Sequence, residues 1–294
     1  MDALNPSAIP TAASRTPLHI GAVGMIVRDL DRLTAYYRDL LGLTVQERTS
    51  KVAILGVDGL PLLELNHNPD ALPDDPQEAG LYHTAFLMPT RADLARWILY
   101  VARNRVPITG ASDHDVSEAI YLDDPEGNGI EVYSDRPSEK WRRDGRIIFQ
   151  KTDPLDIDAI IREVDPATAT YAGAPGGLRI GHIHLRVGNT AKAEEFYCGA
   201  LGLDVTRRRT GATFISSGGY HHHVGANVWH SNGAGPRSGT RAGLAWFSME
   251  ASDRQTLVGL KERLGTAGVS VDAVPGGFVA MDPWGTRIRF TAAS

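Results

Sequence analysis

Apolar and polar positions along the chain switch repeatedly between a period of two and a period near 3.6, and the switches mark out four similar units. In the first, the alternating stretch His19–Val27 predicts a strand and the segment N-capped by Asp29 predicts a helix running through Leu41. Further strands are expected near Val45, Val52 and Leu62. The second unit begins with a strand at Leu81–Leu87 and carries a helix over Arg91–Arg103, opened by Thr90. Leu94, Trp97, Ile98 and Val101 recur there at helical spacing and define a packed face. It closes in two strands, Glu118–Leu122 and Gly129–Tyr133, joined by a turn that Asp124, Pro125, Gly127, Asn128 and Gly129 specify, because these residues accept tight and positive-φ conformations. Ile130 and Val132 share one face of the last strand, which sets Glu131 on the other. The third unit starts at Leu178 and the fourth at Gly243, with a helix over Asp253–Leu264 and closing strands Gly277–Met281 and Thr286–Thr291.

The units are copies. Ile20–Val27 aligns with Ile180–Val187 at a shift of 160 residues (180 − 20), and the same shift places Tyr36-Tyr37 on Phe196-Tyr197 and Leu41–Val45 on Leu201–Val205. The stretch from Asp124-Pro125 to Glu131 is echoed by that from Asp282-Pro283 to Arg289, with the same spacing. A strand, a helix and three strands per unit make the fold α+β, built of four βαβββ modules. Along the chain this divides into a loose tail (1–17), an N-terminal domain of two units (18–136), a linker (137–177) and a C-terminal domain of two units (178–294). The linker is charged, then Ala/Pro/Gly-rich, with one short helix over Pro154–Val164.

Composition narrows the function. A length of 294 residues suits two domains, and a net charge of −5 offers no basic surplus for phosphates, so nucleic acid is not an expected partner. No apolar run approaches membrane-spanning length, and the first residues lack the basic start and apolar core of a signal peptide. Cys198 is the single cysteine, which excludes an intrachain disulfide and thiolate clusters and fits a reducing cytoplasm.

With G-H-I-H-L, L-Y-H-T-A-F and D-P-E-G-N-G-I-E-V-Y as its punctuation, the chain over about 18–291 resembles the vicinal oxygen chelate superfamily (glyoxalase/bleomycin resistance/dioxygenase). Its closest likeness there is to the two-domain catechol 2,3-dioxygenases, the type I extradiol enzymes. His114, Ile120-Tyr121, Asp124-Pro125-Glu126-Gly127 and Glu131 follow the spacing of the extradiol signature, with Ser112 as a departure two residues before the histidine. The resemblance implies cupped mixed sheets and a divalent metal, Fe(II) with Mn(II) as a substitute, held by two histidines and one glutamate. It also implies a small aromatic diol and O2 as substrates and cleavage of the ring beside the hydroxyls. A homo-oligomer is expected.

Carried over residue by residue, the resemblance makes His83 and Glu131 two of the ligands and leaves the third to another unit. Unit one has Gly24 at the ligand position and unit four has Trp246 and Arg289, whereas unit three has His184, since 184 − 24 = 160. His184 is the expected third ligand, with His182 as its competitor on the same strand face. Units two and three would then form the live site, and units one and four a vacant pseudo-site. By the same resemblance His223 is the acid-base histidine, with His222 next, and His114 and Tyr121 hydrogen-bond a substrate or product oxygen. His19, His67 and His230 fall outside the ligand positions, as surface residues. Glu64 is the rival carboxylate if adjacent units pair, as a glyoxalase-like isomerase, lyase or transferase would require. A protein that binds an aromatic ligand without turning it over is the remaining alternative.

Overall fold

The computed structural model describes residues 11–292. Unit one comprises β1 (Leu18–Val27), α1 (Leu30–Leu41), β2 (Thr44–Arg48), β3 (Val52–Val57) and β4 (Leu60–His67). Unit two comprises β5 (Gly80–Leu87), α2 (Arg91–Arg103), β6 (Gly110–Asp113), β7 (Ser117–Asp123) and β8 (Gly129–Asp135). The linker holds the ribbon β9 (Arg143–Asp144) and β10 (Ile147–Ile148) and a short helix α3 (Ile157–Ile161). Unit three comprises β11 (Arg179–Arg186), α4 (Thr190–Glu194, continued by a π-helical turn over Glu195–Ala200), β12 (Asp204–Arg209), β13 (Ala212–Ser216) and β14 (Val224–Asn227). Unit four comprises β15 (Gly243–Ala251), α5 (Arg254–Thr266), β16 (Val271–Val274), β17 (Gly277–Met281) and β18 (Arg287–Ala292).

Local chemistry fixes these boundaries. Asp29, Thr90, Asn189 and Asp253 each cap a helix by accepting a backbone N–H three residues on, and Gly42 ends α1 in the left-handed region at φ 68°. In the Asp124 turn, the carboxylate accepts the backbone N–H groups of Glu126 and Asn128, the Asn128 side-chain amide and the Tyr37 hydroxyl. Asp282 repeats this with Trp284, Thr286 and Tyr197. Each Asp-Pro turn is thus tied to the helix of the preceding unit.

The sheets cut across the order of the chain. Units two and three form one mixed eight-stranded sheet, in the order β12-β13-β14-β11-β5-β8-β7-β6, and units one and four form the other, β16-β17-β18-β15-β1-β4-β3-β2. The division into 18–136 and 178–294 is therefore not a division into sheets. At each centre two first strands meet antiparallel, β5 on β11 and β1 on β15, and each first strand runs parallel to the last strand of its own unit. The pairing of the second unit with the third is the one inferred from the distribution of ligand residues.

Two segments that read as loose are packed. Residues 1–10 of the tail lie outside the described residues, but Ala13 and Thr16 are buried, and Thr16 hydrogen-bonds the Leu18 carbonyl. The linker buries Trp141 and Ile148 against Ala85, Tyr133 and Tyr220, and its Asp153 bridges to Asp113 at the edge strand β6. The vacant pseudo-site is also corrected. In the sheet of units one and four, the Trp246 indole lies over Gly24 and donates to Glu64 at 3.2 Å, while the Arg289 guanidinium stacks 3.5 Å from the Trp246 ring and 3.7 Å from Glu64. A cation–π stack and an ion pair fill the place where the other sheet has its histidines.

Candidate metal centre

Register decides which side chains converge on the sheet of units two and three. Glu131 on β8 lies beside Ala85 on β5, and His182 on β11 lies beside Ala85 on the opposite flank. His83 is two residues from Ala85 and so shares its face. The ligand atoms of His83, Glu131 and His182 all fall within 4.8 Å of one another. Glu131 Oε2 is 3.0 Å from His83 Nε2 and 3.2 Å from His182 Nε2. His182 Nε2 hydrogen-bonds the carboxylate, whereas His83 Nε2 is out of line for a hydrogen bond and the other His182 nitrogen, Nδ1, has no partner. Two buried imidazoles that converge on one carboxylate, with His83 Nε2 facing it unsatisfied, suit a divalent cation between them, so the group fits the implied metal.

The closed group contains His182, not the expected His184. His184 sits opposite His83 in the antiparallel pairing, its ring edge-on to that of His83 at 4.9 Å, with Nε2 unpartnered. Its side chain occupies the space over Gly225, where a Cβ would come within 2.8 Å of the His184 ring. The capping residues carry the signal that separates the two: His83 lies seven residues before Thr90 (90 − 83) and His182 seven before Asn189 (189 − 182), which makes them equivalent in their units. By the same count Ala22 and Trp246 hold that place before Asp29 and Asp253.

Electrostatics prepares the group for a cation. Burial pushes His182 down to about 4 against the pull of Glu131, so its imidazole is neutral near pH 7 and keeps a lone pair to give. Burial works to raise the Glu131 carboxyl, but His182 and His83 outweigh it and hold the group well below the usual carboxylate range. Burial likewise keeps His184 well below the ordinary histidine value.

A cavity of about 500 Å³ opens over His83, Glu131 and His184 and is lined also by His114, Tyr121 and His222. His114 donates from Nδ1 to the Lys151 carbonyl at 2.9 Å, which leaves Nε2 to accept the Tyr121 hydroxyl at 2.7 Å. Tyr121 pairs with Glu131 across β7 and β8, and burial, then the Glu131 charge, pushes its hydroxyl well above the ordinary value.

His223, the expected acid-base group, is not at the cavity. Residues 221–223 precede β14, so strand alternation does not govern them. His223 donates from Nε2 to the Ala13 carbonyl at 2.9 Å, and its Nδ1 accepts the Ser217 N–H at 3.2 Å. Both nitrogens are engaged in a fixed neutral tautomer, and burial takes its pKa down to about 3. His222 faces the cavity instead, with its ring 4.1 Å from that of His182. Behind it, Asp135 accepts from His221 Nε2 at 2.9 Å, and His221 Nδ1 meets His222 Nδ1 at 2.9 Å. That chain makes His222 the donor at Nδ1 and leaves its Nε2 a bare lone pair. The wall residues Tyr82, Phe214, Trp229, Arg207 and Arg209, and the linker's Gln150 and Thr152, are absent from the sequence-based site.

Outside this site, His19 is half-buried beside Glu250 at 3.5 Å, and His67 and His230 are exposed. No helix among the described residues is long and apolar enough to cross a membrane.

The model of the Glyoxalase/Bleomycin resistance protein/Dioxygenase superfamily matches residues 19–132 and 179–290, the two halves of the repeat. The chain belongs to that superfamily. Within it, the sequence is 37% identical over 272 residues to a catechol-2,3-dioxygenase of Bacillus subtilis (strain 168), covering 90% of this chain and 94% of that protein. It is 30% identical over 118 residues to biphenyl-2,3-diol 1,2-dioxygenase 3 of Rhodococcus globerulus, covering 36% of this chain and 57% of that one. Among solved structures, a putative dioxygenase of Bacillus subtilis subsp. subtilis str. 168 superposes with a TM-score of 0.62 at 15% identity, covering 93% of this chain and 84% of that one. Glyoxalase I of Zea mays superposes at 0.55 with 16% identity over 95% and 94%. Both superpositions show a likeness of fold.

Proposed function

We propose that this catechol-2,3-dioxygenase-like enzyme is an extradiol dioxygenase, which inserts both atoms of O2 into a catechol-type ring at a ferrous site formed by His83, His182 and Glu131. The observation that carries the reading is the buried convergence of two imidazoles, His83 and His182, on the Glu131 carboxylate, with His83 and Glu131 facing a cavity sized for a small ring. Ferrous iron bound there would lower the pKa of the diol and bring it together with dioxygen.

The chain's own groups handle the protons and the orientation. His222, neutral through burial and with Nε2 bare, takes a hydroxyl proton from the diol and returns it to oxygen during ring opening. Asp135 and His221 hold its tautomer, as a carboxylate orients a general base. The Tyr121 hydroxyl, kept protonated and donating to His114 Nε2, is fixed with its oxygen lone pairs free to accept a hydrogen bond from the diol.

A redox-silent, glyoxalase-like reading would want a second carboxylate at the metal. Glu64 lies in the other sheet, bonded to Trp246. In unit three, Gly225 stands beside His184 as Glu131 stands beside Ala85 in unit two, so the equivalent place carries no side chain. That leaves coordination positions open for diol and dioxygen, and favours ring cleavage.

The test is anaerobic loading with ferrous iron, then catechol and air. A yellow ring-opened product is expected from the wild type, with a rate at least about 100-fold lower in Glu131→Ala. A colourless reaction with full iron occupancy would reject the reading.

A further inference from the structure

Three consecutive arginines on β12 sit in two different settings. Arg208 is held by both carboxylate oxygens of Glu194, at 2.8 and 2.7 Å. Arg207 and Arg209, on either side of it, line the cavity. Neither has a carboxylate at ion-pair distance among the described residues. Their side-chain hydrogen bonds are long, from Arg207 Nη1 to Gln150 Oε1 at 3.4 Å and from Arg209 Nη1 to Thr152 Oγ1 at 3.5 Å. Each guanidinium instead lies near an aromatic ring of the same wall, Arg207 5.6 Å from the centroid of Phe214 and Arg209 5.7 Å from that of Trp229.

Two like charges on one wall repel, and stacking leaves the in-plane N–H groups of a guanidinium free for a planar acceptor. The acidic groups that face the cavity do not meet this need. Glu131 is committed to the two histidines, and Asp123 lies on the exposed lip. Beside them, Tyr82 packs edge to face on His184 and Trp229, His184 packs edge to face on Phe214 and tilts against Trp229, and the four rings form an aromatic slot.

We propose that the physiological substrate is a catechol carrying a carboxylate, on the ring or on a short side chain, and that Arg207 and Arg209 bind that acid while the diol faces the triad. The direction of the diol rests on the proposed ring cleavage; the acid subsite does not require turnover. The neighbouring wall makes the fit specific: the aromatic slot holds the ring, and the paired guanidiniums discriminate between an acid and an uncharged substituent.

The experiment is an oxygen-free calorimetric titration of the intact protein with 3,4-dihydroxybenzoate, 3,4-dihydroxyphenylacetate and 4-methylcatechol, followed by kcat/KM for each in air with ferrous iron. At least one acid is expected to bind about tenfold or more tighter than 4-methylcatechol. That preference should collapse in Arg207→Gln and Arg209→Gln and persist in Arg208→Gln. Equal binding of acids and 4-methylcatechol, or a preference untouched by the first two variants, would overturn the proposal. Acid preference in binding without ring cleavage in air would retain the subsite and reject the dioxygenase reading. Cleavage without acid preference would do the reverse.

Discussion

Replacing His182 by alanine is expected to remove ferrous iron binding and ring cleavage together, by at least about 100-fold in each, since loss of a ligand exceeds the 10- to 100-fold cost of losing an outer partner. His184→Ala, two residues along the same strand, is expected to keep stoichiometric iron, because His184 lies outside the group whose donor atoms converge. Its ring does support His83 edge-on and fills the space over Gly225, so its loss should lower thermal stability and loosen the wall of the cavity. Metal analysis after anaerobic loading, run beside the rate of product formation, separates the two variants. The opposite pattern, with iron lost in His184→Ala and kept in His182→Ala, would restore the sequence-based expectation.

The metal-free protein is expected to be strongly acid-labile. Burial depresses His182 to about 4 and His223 to about 3, and holds His184 and His222 well below the ordinary 6.5. Each takes up a proton more readily when unfolded, so the stability it contributes is complete above about pH 6.5 and is lost as pH falls toward the folded values. Glu131, held below its ordinary 4.5, contributes above that value and loses its share as pH falls further, in the same direction. Each fully shifted group changes stability by about 1.4 kcal/mol per pH unit, so His182 and His223 alone account for several kcal/mol against a total of about 5–15 kcal/mol. Urea midpoints of the metal-free protein should therefore fall steeply from pH 6.5 to pH 4. A flat profile across that window would show that these imidazoles are not buried neutral.

Much of this architecture was legible because repetition leaves marks at fixed offsets. Helix caps, the glycine ending α1 and the Asp-Pro turns recur with the units, and the lack of a ligand histidine on the first strands of units one and four pointed to the pairing of two with three. The converging group takes in His182 where the repeat alignment pointed to His184, and the difference has a definable reason. Aligning unit three on unit one compares it with a unit that has no histidine at either place, Ala22 and Gly24, whereas measuring from the helix cap compares His182 directly with His83. His223 was misplaced because a run of histidines before β14 reads as strand, and the bend there turns His222 to the cavity and His223 toward the tail. The contributions of tail and linker left no trace in residue type: Ala13 and Lys151 act through backbone carbonyls, which any residue supplies. Gln150 and Thr152 are unremarkable in composition and reach the cavity only because the linker folds back over β6.

The central claim is that one ion sits between the second and third units, on His83, His182 and Glu131. Diffraction from crystals grown anaerobically with ferrous iron, with data collected at the iron absorption edge, tests it most directly. The account predicts one strong anomalous peak bonded to a nitrogen of each of those two histidines and to the Glu131 carboxylate, with the remaining positions directed into the cavity. A peak bonded to His184 in place of His182, or one in the sheet of units one and four beside Glu64, would contradict it.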